Sequence, residues 1–157
     1  VKVPMPREVE KSYVIWQNRA YRFYLASRIL VEKEQYAPAA FCSIQALESL
    51  MKATLVYWDK SFKPEAVNHR IACMIRTIRN KAEKGGKFSC PEYFYRDKRF
   101  QSVTRYPANG KGVLVPSTFL NDLDEVFSEL ITLVPFHFNT KLIHALSGDT
   151  KGTLLIS

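Results

Sequence analysis

At 157 residues and 18.1 kDa the chain has room for one domain around one core. A composition of 46% hydrophobic and 24% charged residues excludes a disordered chain, and only six glycines and eight prolines exclude collagen-like or linker-dominated architectures. The charge is +8, from 23 Lys+Arg against 15 Asp+Glu. Cys42, Cys73 and Cys90 are odd in number and form no Cys-x-x-Cys pair, which argues against a disulfide framework and a cysteine-rich zinc site and for a reducing compartment. No apolar run reaches the roughly 18 residues of a membrane span. The first residues lack the charged-then-apolar layout of a signal peptide, and Val1 in place of Met reads as processing or trimming. The expectation is a cytoplasmic protein with no membrane partner.

The basic charge is concentrated. Residues 70–111 hold 11 basic and 3 acidic groups, whereas residues 112–157 hold 2 basic and 5 acidic ones. A local field of that sign attracts polyanions, RNA or DNA first and anionic lipid second. The alternative is charge kept for solubility.

Four segments have helical periodicity. The first, 7–33, places Trp16, Ala20, Phe23, Ser27 and Leu30 on one stripe and ends near Tyr36-Ala37-Pro38. The second, 38–58, carries Ala40, Ile44, Leu47, Met51, Leu55 and Trp58 as its buried face. The third, 64–84, sets Val67, Ile71, Met74, Ile75 and Ile78 inward and stops at Gly85-Gly86. The fourth follows Pro116 with Ser117 as cap and repeats Phe119, Leu120, Leu123, Phe127, Leu130, Ile131 and Val134 until Pro135. The short apolar runs 113–115 and 153–156 suit strands, but no sheet is in view to hold them. The expected fold is an all-α, up-and-down bundle of four to five helices, a single domain over 1–157 with its core at 7–135 and a peripheral tail at 136–157.

A long insertion, 85–116, separates the third and fourth segments, far beyond the usual bundle connection. It interleaves Phe88, Tyr93, Phe94, Tyr95, Phe100 and Tyr106 with Arg96, Lys98, Arg99, Arg105 and Lys111. Rings that stack on bases, worth about 1–3 kcal/mol each, and cations that hold phosphates are what a single-stranded nucleic-acid surface requires. The competing reading is that the rings cover the end of the bundle and their basic neighbours stay solvated.

The second segment, Ala39-Ala40-Phe41-Cys42-Ser43-Ile44-Gln45-Ala46-Leu47-Glu48-Ser49-Leu50-Met51-Lys52-Ala53, resembles the Ala-Ala…Gln-Ala-hydrophobic-Glu…Lys-Ala signature of HEPN domains. Tyr24-Leu25-Ala26-Ser27-Arg28…Tyr36 is similar to that family's first helix, Asn68-His69-Arg70-Ile71 to its His-polar-aliphatic run, and Arg105-Tyr106-Pro107 to the Arg-Tyr-Pro before its last long helix. The resemblance covers about residues 10–135 and implies a helical bundle, usually a homodimer paired through helix faces. Many members are metal-independent endoribonucleases, including toxins of toxin–antitoxin pairs partnered by minimal nucleotidyltransferases, that carry Arg, four to six residues, then His. None of His69, His137 and His144 has an arginine at that distance upstream. Members without the motif are proposed to bind nucleotides or nucleic acid, or to be inactive partners.

The candidate nucleic-acid contacts are Arg70, Arg76, Arg79, Arg96, Arg99 and Arg105, with Tyr95 or Tyr106 as the stacking ring. Arg105 equally suits a structural pair with Glu48. His69 is a candidate base or donor, against the commoner role of a satisfied residue near a helix start. Gln45, Glu48 and Lys52 form a polar line on the second segment, either buried across a dimer or solvated. Asp122, Glu125 and Glu129 read as a solvated face and only weakly as a metal site. Neither Gly86-Lys87 nor Gly110-Lys111 has the frame of a phosphate loop, and HExxH, GxSxG and GxGxxG are missing, so no cofactor, metal or catalytic residue is assigned. Three classes stand: a dimeric module binding RNA or nucleotide, an RNase with its own constellation built on His69 with Arg70 or Arg105, and a protein partner of a nucleotidyltransferase. The tyrosine- and tryptophan-rich helices, with Tyr13, Trp16, Tyr21, Tyr24, Tyr57 and Trp58 too many to face one core, argue for the homodimer.

Overall fold

The computed structural model describes residues 7–67, 70–82, 88–96 and 116–135. It is an all-α bundle: among the described residues five helices and one 3-10 turn occur and no strand. The helices are α1 (Arg7–Glu32), α2 (Tyr36–Trp58), α3 (Pro64–Val67), α4 (Ile71–Lys81) and α5 (Phe119–Leu133), with the 3-10 turn at Glu92–Phe94. The apolar runs at 113–115 and 153–156, and the tail at 136–157, lie outside the described residues.

The α1–α2 hairpin is the frame. α1 stops through a pair of backbone bonds, Gln35 N–H to Leu30 O at 2.8 Å and Glu34 N–H to Val31 O at 3.0 Å, around Glu34 at φ 57°. That is the left-handed turn usually given to glycine, here held by a glutamate. Pro38 therefore does not end α1; it lies in the first turn of α2, where a missing N–H costs nothing. The two helices run antiparallel, as shown by Trp16 against Lys52, Arg19 against Gln45, and Phe23 against Phe41. Small residues let them approach: Ala20, Ala39 and Ala40 are fully buried, and the Ser27 hydroxyl donates to Ala39 O at 2.8 Å.

α2 is buried on nearly every side, with Leu47, Leu50 and Met51 inaccessible and its Ser43 and Thr54 hydroxyls bonded to Ala40 O and Leu50 O. The expected stripe is therefore only part of what α2 buries. α5 packs antiparallel to α1, with Tyr24 stacked on Phe127 at 4.3 Å and Gln17 Nε2 donating to Pro135 O at 2.9 Å. The expected third helix is two pieces, because α3 closes at Val67 and α4 opens at Ile71; its inward set Ile71, Met74, Ile75 and Ile78 is buried as its spacing requires. At the start of α5, Thr118 rather than Ser117 occupies the N-cap, and its hydroxyl donates to Asp122 at 2.8 Å.

The aromatic surplus of α1 is mostly inside. Tyr13, Tyr21 and Tyr24 are buried, and Trp16, Tyr57 and Trp58 are half-buried. A tyrosine can bury its ring in a small bundle when its hydroxyl finds a partner, as Tyr24 does on Asp124 at 2.6 Å. The argument for a homodimer from unburied rings is thereby corrected: Ile15 and Tyr36 are the exposed large apolar side chains among the described residues.

Burial also fixes how the fold responds to base. Burial pushes the Tyr13 phenol and the Cys90 thiol each up to about 12, and raises Tyr24 and Tyr93 further with help from the carboxylates beside them. Above the ordinary thiol and phenol range, from about pH 8.5 to 10, the unfolded chain releases protons that the folded chain keeps. The unfolded state then binds fewer protons, and stability falls as pH rises. Urea midpoints are expected to hold level to about pH 8.5 and decline progressively toward pH 12, with Tyr13→Phe and Cys90→Ala each shallowing the decline. A midpoint that rises with pH over that window contradicts the assignment.

Candidate functional site

Three charged regions surround the core, and their burial separates scaffold from surface. The first is on the α1–α5 seam. Arg28, nearly buried, forms an ion pair with Asp124, and Asp124 also accepts the Tyr24 hydroxyl. Tyr24 and Arg28 are one turn apart on α1 and reach one carboxylate, which pins α5 to α1. Asp124 carried no signal in the sequence beyond its place between Leu123 and Val126 on the apolar side of its helix.

The second region is the polar line of α2. It is neither solvated nor spread across the helix. Lys52 Nζ donates to Glu48 Oε1 at 2.7 Å, with the two side chains only 7% and 5% exposed. The ammonium also lies 5.0 Å from the centroid of Trp16. Gln45, one turn earlier and half-buried, accepts from Arg19 at 3.2 Å. The cluster ties α2 to α1. Glu48 is thus engaged by Lys52, and the suggested pairing with Arg105 falls on a residue outside the described set.

The third region is the basic segment. Arg70 and Arg76 are exposed, and their guanidinium groups make no ion pair or hydrogen bond with the described residues. Arg79, exposed on α4 one turn after Arg76, donates Nε to Phe88 O at 3.0 Å, and so ties the start of the aromatic segment to α4. Lys81 faces Asp59 across 3.8 Å at the surface. Asp59 accepts from the Ser61 hydroxyl and N–H, which with Lys81 lowers its pKa.

The aromatic segment divides. Phe88, Cys90 and Phe94 are buried, Tyr93 stacks on Phe94 at 4.4 Å, and Phe94 meets Phe119 of α5 at 6.1 Å. The acidic face of α5 is the clasp: Asp122 accepts the Tyr93 hydroxyl at 2.8 Å and Glu129 accepts the Ser89 N–H at 3.1 Å. Asp122 and Glu129 are accordingly half-buried, and only Glu125 remains on the solvated face expected for all three. These rings cover the bundle. Tyr95 is different: it is half-buried, with the Arg96 guanidinium 5.6 Å from its ring centroid, and Arg96 pairs with Glu92 at 2.8 Å in an exposed one-turn bridge. His69, Arg99, Arg105 and Tyr106 lie outside the described residues, which leaves Arg70, Arg76, Arg79, Tyr95 and Arg96 as the described members of the candidate set, with Arg79 joined to the aromatic segment through Phe88 O.

Among the described residues no group of three His, Cys, Asp or Glu is arranged to hold a metal, and no helix is long and apolar enough to cross a membrane. No protein-family model, curated protein or solved structure matches the chain.

The buried pair yields a direct test of its role. Lys52→Met removes the partner of a buried carboxylate and is expected to destabilise the protein by about 3 kcal/mol, while Lys52→Met with Glu48→Leu recovers most of the loss. Denaturant melts of the parent, both single variants and the double variant check this; a double-variant loss equal to the sum of the two single losses would show that the pair has no coupling.

Proposed function

We propose that this chain is a HEPN-like helical module that binds single-stranded RNA or DNA through the outer face of α4 and the adjoining Tyr95–Arg96 corner, without cutting it. The observation that carries the reading is the pair of exposed arginines, Arg70 and Arg76, with no acidic partner among the described residues, on a helix whose other face is locked into the core. Three other cations are engaged by carboxylates: Arg28 by Asp124, Lys52 by Glu48, Arg96 by Glu92. Cations without partners on a rigid element suit phosphates, which are read by charge and not by base identity. Tyr95, ordered by Arg96 and not sealed in the core, is the ring available for stacking.

The resemblance in α2 and the missing Arg-x4-6-His motif support a binding module over a nuclease. A homodimer, the arrangement the resemblance implies, would double the cationic field without any base reading. The cytoplasmic setting belongs to this proposal, and a nucleotidyltransferase partner to the alternative one.

Affinity for a labelled single-stranded RNA, titrated with salt, tests the reading. Each lost phosphate contact is expected to flatten the slope of log K against log salt by about 0.7, so Arg70→Ala/Arg76→Ala flattens it by about twice that. Tyr95→Ala should weaken binding with little change in slope. The RNA should emerge intact. No binding at low salt, or identical slopes for parent and double variant, would remove the role of these arginines and favour the protein-partner reading.

A further inference from the structure

The flank of the α1–α2 hairpin turned away from α5 holds a groove of about 650 Å3 that none of the nucleic-acid candidates lines. Its walls are Ile15, Asn18, Arg19, Arg22, Phe23 and Ala26 of α1 with Cys42 of α2. The α1 residues recur at helical spacing and form one stripe of about three turns. Ile15 is 56% exposed, the most exposed large apolar side chain among the described residues. Cys42 is buried, and burial raises its thiol pKa, so the floor of the groove carries no charge.

The polar side chains among these walls are Asn18, Arg19 and Arg22. Arg19 is held in place by its bond to Gln45 at 3.2 Å and lies 5.1 Å from the Phe23 ring centroid. Arg22 is exposed and makes no ion pair or hydrogen bond with the described residues. No carboxylate lines the groove. The volume falls within the roughly 300–1,000 Å3 of small-molecule sites, and an apolar trough with a few convergent polar groups is their usual form.

We propose that this groove binds a small amphiphilic carboxylate, with its apolar body along Ile15, Phe23 and Cys42 and its head on Arg22, assisted by Asn18 and Arg19. The site is separate from α4 and does not depend on the nucleic-acid reading. Charge selects the head, and the apolar walls select the body.

The test uses the full chain and anilinonaphthalene sulfonate as a fluorescent occupant, displaced by decanoate below its micelle concentration. Saturable displacement is expected, with decyltrimethylammonium, of equal chain length and opposite charge, at least about tenfold weaker. Arg22→Gln should weaken decanoate about fivefold while keeping the parent melting temperature, since the side chain is exposed. Equal displacement by the cation, unchanged decanoate affinity in Arg22→Gln, or no saturable signal would overturn the proposal. Light scattering that shows a dimer, with the fluorophore binding only after dilution to monomer, would give the groove to a second copy and overturn it as well.

Discussion

Burial of α2 on nearly every side is the constraint from which the rest of the bundle follows. A helix without a wet face must satisfy its polar side chains inside the protein, because an unpaired buried hydroxyl costs about 1–3 kcal/mol and an unpaired buried charge more. The Ser43 and Thr54 hydroxyls do so on the helix's own carbonyls, and Glu48 and Lys52 do so on each other beside Trp16. The same burial obliges the other elements to wrap around α2. α1 lies along it through alanines and Ser27, and α4 supplies the Ile71, Met74, Ile75 and Ile78 face to the same core.

Charge is sorted accordingly. Residues that resemble a functional polar line in α2 are scaffold, as is the Arg28–Asp124–Tyr24 junction that holds α5 on α1. On α5, Asp124 serves that junction, Asp122 and Glu129 form the clasp on residues 88–96, and Glu125 stays exposed. Among the described residues of the middle segment this leaves Arg70 and Arg76 with their cations turned to solvent. Surface ion pairs are weak and exchange readily, so the Arg96–Glu92 bridge is a modest obstacle to a phosphate, whereas the Lys52–Glu48 pair is closed to one.

The helices were legible because their apolar periodicity survives in sequence: α4's inward set and the extent of α1 and α2 follow from spacing. The break between α3 and α4 was not, since Val67 and Ile71 lie four apart, the spacing of an uninterrupted helix. Tyr13, Tyr21 and Tyr24 read as surplus because a ring with a hydroxyl looks half-polar until its partner is known. Asp124 was invisible for the same reason in reverse: its partner stands 96 positions away, and pairing across that distance leaves no local pattern. The aromatic segment fell on both sides of its two readings, because Phe88 and Phe94 sit in the core while Tyr95 reaches its edge.

The central claim is that Arg70 and Arg76, whose guanidinium groups have no partner among the described residues, and not the paired cations, meet nucleic acid. Photo-crosslinking of a 4-thiouridine-substituted single strand, followed by peptide mapping, tests it most directly. The account predicts adducts within residues 70–81 and at Tyr95, suppressed by salt and by an unlabelled strand. Adducts confined to the 15–26 stripe of α1, or none at low salt, would contradict it.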